Sequence, residues 1–135
     1  MARFTIAYWC VLAMALLPIF CAGLAKKSGF GKSRREGGYD NVDPRQWLAK
    51  QSGWAARANA AQANTFESLP FFFAAVLIAH QLGALQSRLD VLAVVFVVLR
   101  IIYVLMYVAG MAKMRSAIWT AALLVNIVIL FLGYK

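Results

Sequence analysis

Four apolar stretches divide the chain, at about residues 4–25, 47–82, 89–111 and 116–133. Each is long enough, or nearly so, for a spanning helix of about 20 residues. Between the first two lies "KKSGFGKSRREGGYDNVDPRQ", residues 26–46, with turn signals at Gly37-Gly38 and Asp43-Pro44. It is a polar connector; Tyr39, Asp40 and Asn41 form a small polar group that could fold back over a site. The first stretch is a retained helix rather than a secretory signal. Arg3 is a thin basic flank, and Lys26 and Lys27 follow the apolar run. The second stretch is the odd one. Its 36 residues would make a helix of about 54 Å, against a hydrocarbon core of about 30 Å. Its polar start carries Arg57, Asn59, Gln62, Asn64 and Glu67, so the helix is predicted to project past the bilayer on that side. Pro70 is tolerable within it, with a kink.

Composition fixes the solvent. Of 135 residues, 63% are hydrophobic and 14% charged, whereas soluble domains carry about 25% charged and about 45–50% apolar residues. The reading is an all-α integral membrane protein, a single domain over 1–135 with four transmembrane helices in a left-handed-type bundle. The net charge of +9 does not point to nucleic acid. Seven of the fourteen basic residues lie at 26–50, and no nucleic-acid-binding module surrounds them. With four spans, nine basic residues fall on the side of the 26–46 loop, against Arg3, Arg88 and Lys135 on the other. The positive-inside rule makes that loop cytoplasmic and both termini non-cytoplasmic. Cys10 and Cys21 are about 16 Å apart along one helix, too far for a bridge. No metal-ligand spacing is present.

The polar residues of the second helix have counterparts in the third. Arg57 and Asn64 lie a heptad apart, with Glu67 about 60° from Asn64, on one stripe. Arg100, Tyr103 and Tyr107 form another, at i, i+3, i+7. Counting from the short link between the two helices, Glu67 reaches the depth of Arg100 and Asn64 that of Tyr107. Arg57 falls near Arg115, which opens the fourth helix. Such groups either bind the helices together or line a cavity whose donors suit a small anionic, peptide-like ligand. His80 reads as an interfacial side chain and Asn126 as an interhelical hydrogen-bonding group.

Asn64-x-x-Glu67-x-x-Pro70, with Arg57 seven residues before the Asn, resembles the second-helix signature of the MAPEG family (membrane-associated proteins in eicosanoid and glutathione metabolism). Arg100-x-x-Tyr103-x-x-x-Tyr107 and Arg115-Ser116 are similar to its third and fourth helices. The resemblance, to bacterial-type members, covers essentially the whole chain. It implies a homotrimer in the bacterial inner membrane, with glutathione bound between subunits near the cytoplasmic face. Arg57, Asn64, Glu67, Arg100, Tyr103 and Tyr107 would then form the binding set. Arg115 would stabilise the glutathione thiolate, with Ser116 as an alternative donor. One departure is Ala60 and Ala63, where characterised glutathione-using members often carry arginines.

Three functions follow as expectations. The first is a glutathione transferase or peroxidase acting on small lipophilic electrophiles. The second is a non-catalytic trimer of the same fold binding a lipid-like ligand or a partner. The third is a four-helix transporter using Glu67.

Overall fold

Buried side chains recur at spacings of three and four along the first helix: Ala7, Cys10, Met14, Pro18, Cys21 and Ala25. That spacing places them on one face of α1 (Ile6–Lys26). The computed structural model, which describes residues 3–134, packs this face most extensively on α3 (Gly53–Gln81). There Ala55, Ala58 and Ala61 lie along one half of the buried stripe, and Phe72, Val76 and Ala79 along the other. Small residues let two backbones approach closely, which is how helices associate where apolar burial alone gives no drive. Met1, Ala2 and Lys135, the last counted above among the non-cytoplasmic basic residues, lie outside the described residues.

The short α2 (Pro44–Ala49) precedes α3, and α4 (Gln86–Val108) and α5 (Ala112–Phe131) complete the bundle. All regular elements among the described residues are helical. Phe72 of α3 stacks on Phe96 of α4 with ring centroids 4.4 Å apart, at the centre of the largest apolar cluster. Large apolar side chains instead face outward, among them Trp9, Phe20, Val98, Leu105 and Phe131. Large apolar side chains on the outside suit lipid and would be a liability in water.

Among the described residues, three helices are long and apolar enough to cross a membrane: Ile6–Gly29, Gln86–Val108 and Ala112–Phe131. Four spans were expected. The 29 residues of α3 cover about 44 Å, but the polar half that carries Arg57, Asn64 and Glu67 dilutes its hydropathy.

The single helix expected over 47–82 is in fact two. Lys50 N and Gln51 Nε2 both donate to Trp47 O, at 3.2 and 3.0 Å, which closes α2 on itself. Ser52 is then extended, and Gly53 takes φ +61°, a conformation that side-chain-bearing residues rarely adopt. The break tucks Trp47 and Leu48 against Ala25 and Ala58. Tyr39 packs edge-on against Trp47 at 5.2 Å, and its hydroxyl donates to Asn41 Oδ1. The polar group at 39–41 therefore folds onto the loop's own aromatic cluster. Through Pro70, α3 continues unbroken.

At the opposite end, Asp90 Oδ1 accepts from Ala7 N at 2.9 Å and from Gln86 Nε2 at 2.7 Å. The carboxylate thus meets the unpaired N–H groups that begin α1. His80 sits beside this network, 3.2 Å from Gln86 Oε1 and against the Tyr8 ring, at the helix end where the sequence puts it.

Candidate functional site

The link between α4 and α5 is only Ala109, Gly110 and Met111, so the two helices form a tight antiparallel hairpin. Gly110 takes φ +77° there, and Met111 N returns to Met106 O at 2.9 Å. The hairpin brings the last turn of α4, with Tyr107, beside the first turn of α5, with Arg115 and Ser116.

Arg115 Cζ lies 4.3 Å above the Tyr107 ring. Tyr107 meets Tyr103 edge-on at 5.7 Å, and Arg100 Cζ lies 4.2 Å from the Tyr103 ring. Two cations are therefore held at the ends of a pair of aromatic rings. A ring face stabilises a guanidinium without occupying its N–H groups. Those of Arg115 have no hydrogen-bond or ion-pair partner among the described residues. The first turn of α5 also carries no acidic residue. Its unpaired backbone N–H groups add positive potential in the same place. An anion is the group this corner stabilises.

Asn64, Tyr103, Tyr107, Arg115 and Ser116 share the walls of an open cleft of about 490 Å³ with Trp119 and Thr120. An adjoining cavity of about 180 Å³ shares Asn64 and Trp119 with it, and adds Glu67, Arg100 and Asn126 among its lining residues. The structure thus gathers seven of the eight sequence-predicted residues around two neighbouring spaces. The eighth, Arg57, lies elsewhere. Its Nε donates to Val108 O at 2.9 Å, at the carbonyl end of α4, and it packs against Gly110. Its position near the α4–α5 turn agrees with the depth expected from the sequence, but its hydrogen bond holds α3 to α4.

The Glu67–Arg100 ion pair is absent within the chain. The only salt bridge among the described residues joins Arg34 and Asp40. Arg100, 2% exposed, instead donates through Nη2 to Asn64 Oδ1 at 2.9 Å and to Thr65 Oγ1 at 3.4 Å. The count along the helices pairs Arg100 with Glu67 and Asn64 with Tyr107; instead Arg100 reaches Asn64, because of how α3 is turned against α4. Glu67 points to the exposed side of α3, while Asn64 and Thr65 face α4. Asn126, expected to bond between helices, has no partner at its buried Oδ1, and Arg100 Nε is equally unpaired.

Sequence reasoning missed Thr65, Trp119 and Thr120. Thr65 is fully buried, and its hydroxyl also donates to Ala61 O at 2.7 Å, which orients it toward Arg100. Trp119 and Thr120 stand one helical turn after Arg115 and Ser116, on the same face. That spacing was legible, but a lone Trp or Thr in an apolar helix carries no signal of its own.

A family model described as MAPEG family matches residues 6–134. No curated protein and no solved structure matches the chain.

Proposed function

Because the chain belongs to the MAPEG family and is a membrane protein, we propose that it binds glutathione in the cleft at the α4–α5 turn and activates its thiol against lipophilic electrophiles. In this reading α3 spans the bilayer with the other three helices, both termini are non-cytoplasmic, and the chain assembles as a homotrimer. The neighbouring subunit then closes the open side of the cleft.

The observation that carries this reading is the Arg115 guanidinium, stacked on Tyr107, without an acidic partner, beside Ser116. A thiolate rather than a thiol is the nucleophile, and a nearby cation favours its formation. Arg115 lies over the sulfur, with the Ser116 hydroxyl as a further donor. Asn64 and Tyr107 hold the peptide part. Glu67, exposed at the mouth of the inner cavity, takes the ligand's amine, and Arg100 with Tyr103 positions Asn64.

The test separates binding from activation. Arg115→Ala is expected to abolish most of the ultraviolet thiolate absorbance of bound glutathione while changing affinity little. Asn64→Ala should weaken affinity and leave the bound fraction ionised. One pKa unit of the thiol corresponds to about 1.4 kcal/mol, so a tenfold change in ionisation is readable near neutral pH. A thiolate fraction indifferent to Arg115→Ala rejects the catalytic assignment. Native mass spectrometry showing only monomers rejects the trimer.

Ala60 and Ala63 favour a second reading, a non-catalytic trimer that binds a lipid-like ligand. Both lie on α3 next to Asn64, where an arginine would add a cation to the cleft. No glutathione binding at millimolar concentration, together with gain of binding by Ala60→Arg/Ala63→Arg, selects that reading.

A further inference from the structure

The loop between α1 and α3 is folded as a frame. Ser33 and Glu36 form a reciprocal cap, with Glu36 Oε2 accepting from both Ser33 N and Ser33 Oγ at 3.0 Å. Asp40 Oδ1 accepts from Arg34 Nη2 at 3.1 Å and from Val42 N at 2.9 Å. Trp47 Nε1 donates to Gly37 O at 3.2 Å, and Tyr39 lies among Phe30, Trp47 and the Lys26 ammonium. Two of the loop's three acids, Glu36 and Asp40, are thereby turned onto the loop itself.

Its basic residues are treated in the opposite way. Lys27, Lys32, Arg35, Arg45 and Lys50 are all exposed, and none of their side chains has an ion-pair or hydrogen-bond partner among the described residues. Between them stand two large apolar side chains displayed to the outside, Phe30 at 56% and Val42 at 72% exposure. Phe30 is also fixed in direction, edge-on to Tyr39. Solvation alone gives no reason for an ordered loop to present Phe and Val among unpaired cations.

Position supplies the reason. The first candidate membrane span ends at Gly29, so Phe30 follows directly at the bilayer boundary. There, apolar side chains enter the interfacial zone while lysine and arginine heads meet lipid phosphates. Each basic residue near an anionic lipid surface strengthens attraction about fivefold. We propose that the 27–50 loop is a docking surface for anionic lipid headgroups, with Phe30 and Val42 inserted into the bilayer interface and Lys27, Lys32 and Arg35 on the phosphates.

The proposal is independent of the glutathione reading and is tested without any thiol ligand. The full chain, with Cys10→Ala and Cys21→Ala, carries a spin label at Val42→Cys and is placed in nanodiscs of phosphatidylcholine alone or with phosphatidylglycerol. In the anionic discs the label should become accessible to oxygen and protected from a water-soluble nickel complex. High salt should reverse this, because screening acts within about 10 Å at 0.1 M and more tightly above it. Lys27→Gln/Lys32→Gln/Arg35→Gln should abolish the dependence on phosphatidylglycerol, and helix content by circular dichroism checks that this variant is folded. Salt titration of the chain with its basic residues intact tests the same charge dependence without that variant. A label equally buried in neutral and anionic discs overturns the charge recognition. A label exposed to water in both overturns the membrane docking altogether and leaves an acidic protein as the partner of this surface.

Discussion

The two faces of α3 obey different rules. Its stripe of alanines and buried apolar side chains packs on α1 and, through Ala61 and Phe72, on apolar parts of α4. Toward α4 and α5 it also presents Asn64 and Thr65 to the Arg100 guanidinium, which has no carboxylate partner among the described residues. That stripe leaves one polar atom unpaired among the described residues, the buried Oε1 of Gln62. The second face leaves polar groups unsatisfied, with Arg100 Nε and Asn126 Oδ1 both unpaired. Unpaired buried polar groups are costly and uncommon, so this is where packing within one chain is least complete.

The largest effect expected is on the apolar packing of α3, where Phe72 meets α4. Phe72 is fully buried and stacked on Phe96. Phe72→Ala should cost about 3–5 kcal/mol, as in other cores, seen as a lower unfolding midpoint in detergent. A midpoint unchanged by that substitution removes the claim that this cluster holds the bundle together.

Arg57 tests where the two regimes meet. Its guanidinium donates to Val108 O at the carbonyl end of α4, where a cation is favoured. Arg57→Ala is predicted to lose about 1.5–3 kcal/mol, the range for hydrogen bonds to charged groups. If it changes ligand affinity without changing stability, Arg57 belongs to the cleft after all.

The third prediction concerns the polar face itself. Glu67 and Arg100 share a cavity wall but make no ion pair within the chain. In a double-mutant cycle, Glu67→Gln and Arg100→Gln should therefore add to within about 0.5 kcal/mol. A larger coupling means that a neighbouring subunit supplies the contact. It would then be the assembly, not the protomer, that neutralises Arg100.

The smallest effect lies in the loop, far from either face. Hydrogen bonds from the Ser33 backbone and hydroxyl hold the Glu36 carboxyl below its ordinary value, helped by Lys32. A carboxylate depressed in the folded state contributes its stabilisation above the unfolded pKa and loses it as pH falls through the folded one. Amide exchange at Ser33 should accordingly speed up, relative to its intrinsic rate, only below about pH 4.3, the ordinary glutamate value. Glu36→Gln should remove most of that step. A step that persists in Glu36→Gln assigns it to another group.

Periodicity and composition were enough to give the long apolar helices, the membrane environment and the order of the polar groups along each helix. These quantities depend only on position along the chain and on the fixed rise of a helix. The family signature, too, is a pattern of spacings, and it was readable for the same reason. Rotation and local closure were not readable. Whether Arg100 meets Glu67 or Asn64 depends on which way α3 is turned against α4, and that is set by the packing of Ala58, Ala61 and Phe72 rather than by the polar residues themselves. The break at 50–52 likewise depends on Trp47 finding its place beneath Tyr39 and against Ala25, a contact between segments that no local pattern encodes. Helix propensity and hydropathy are sums over neighbours in sequence. The direction of a side chain in a bundle is decided by neighbours in space.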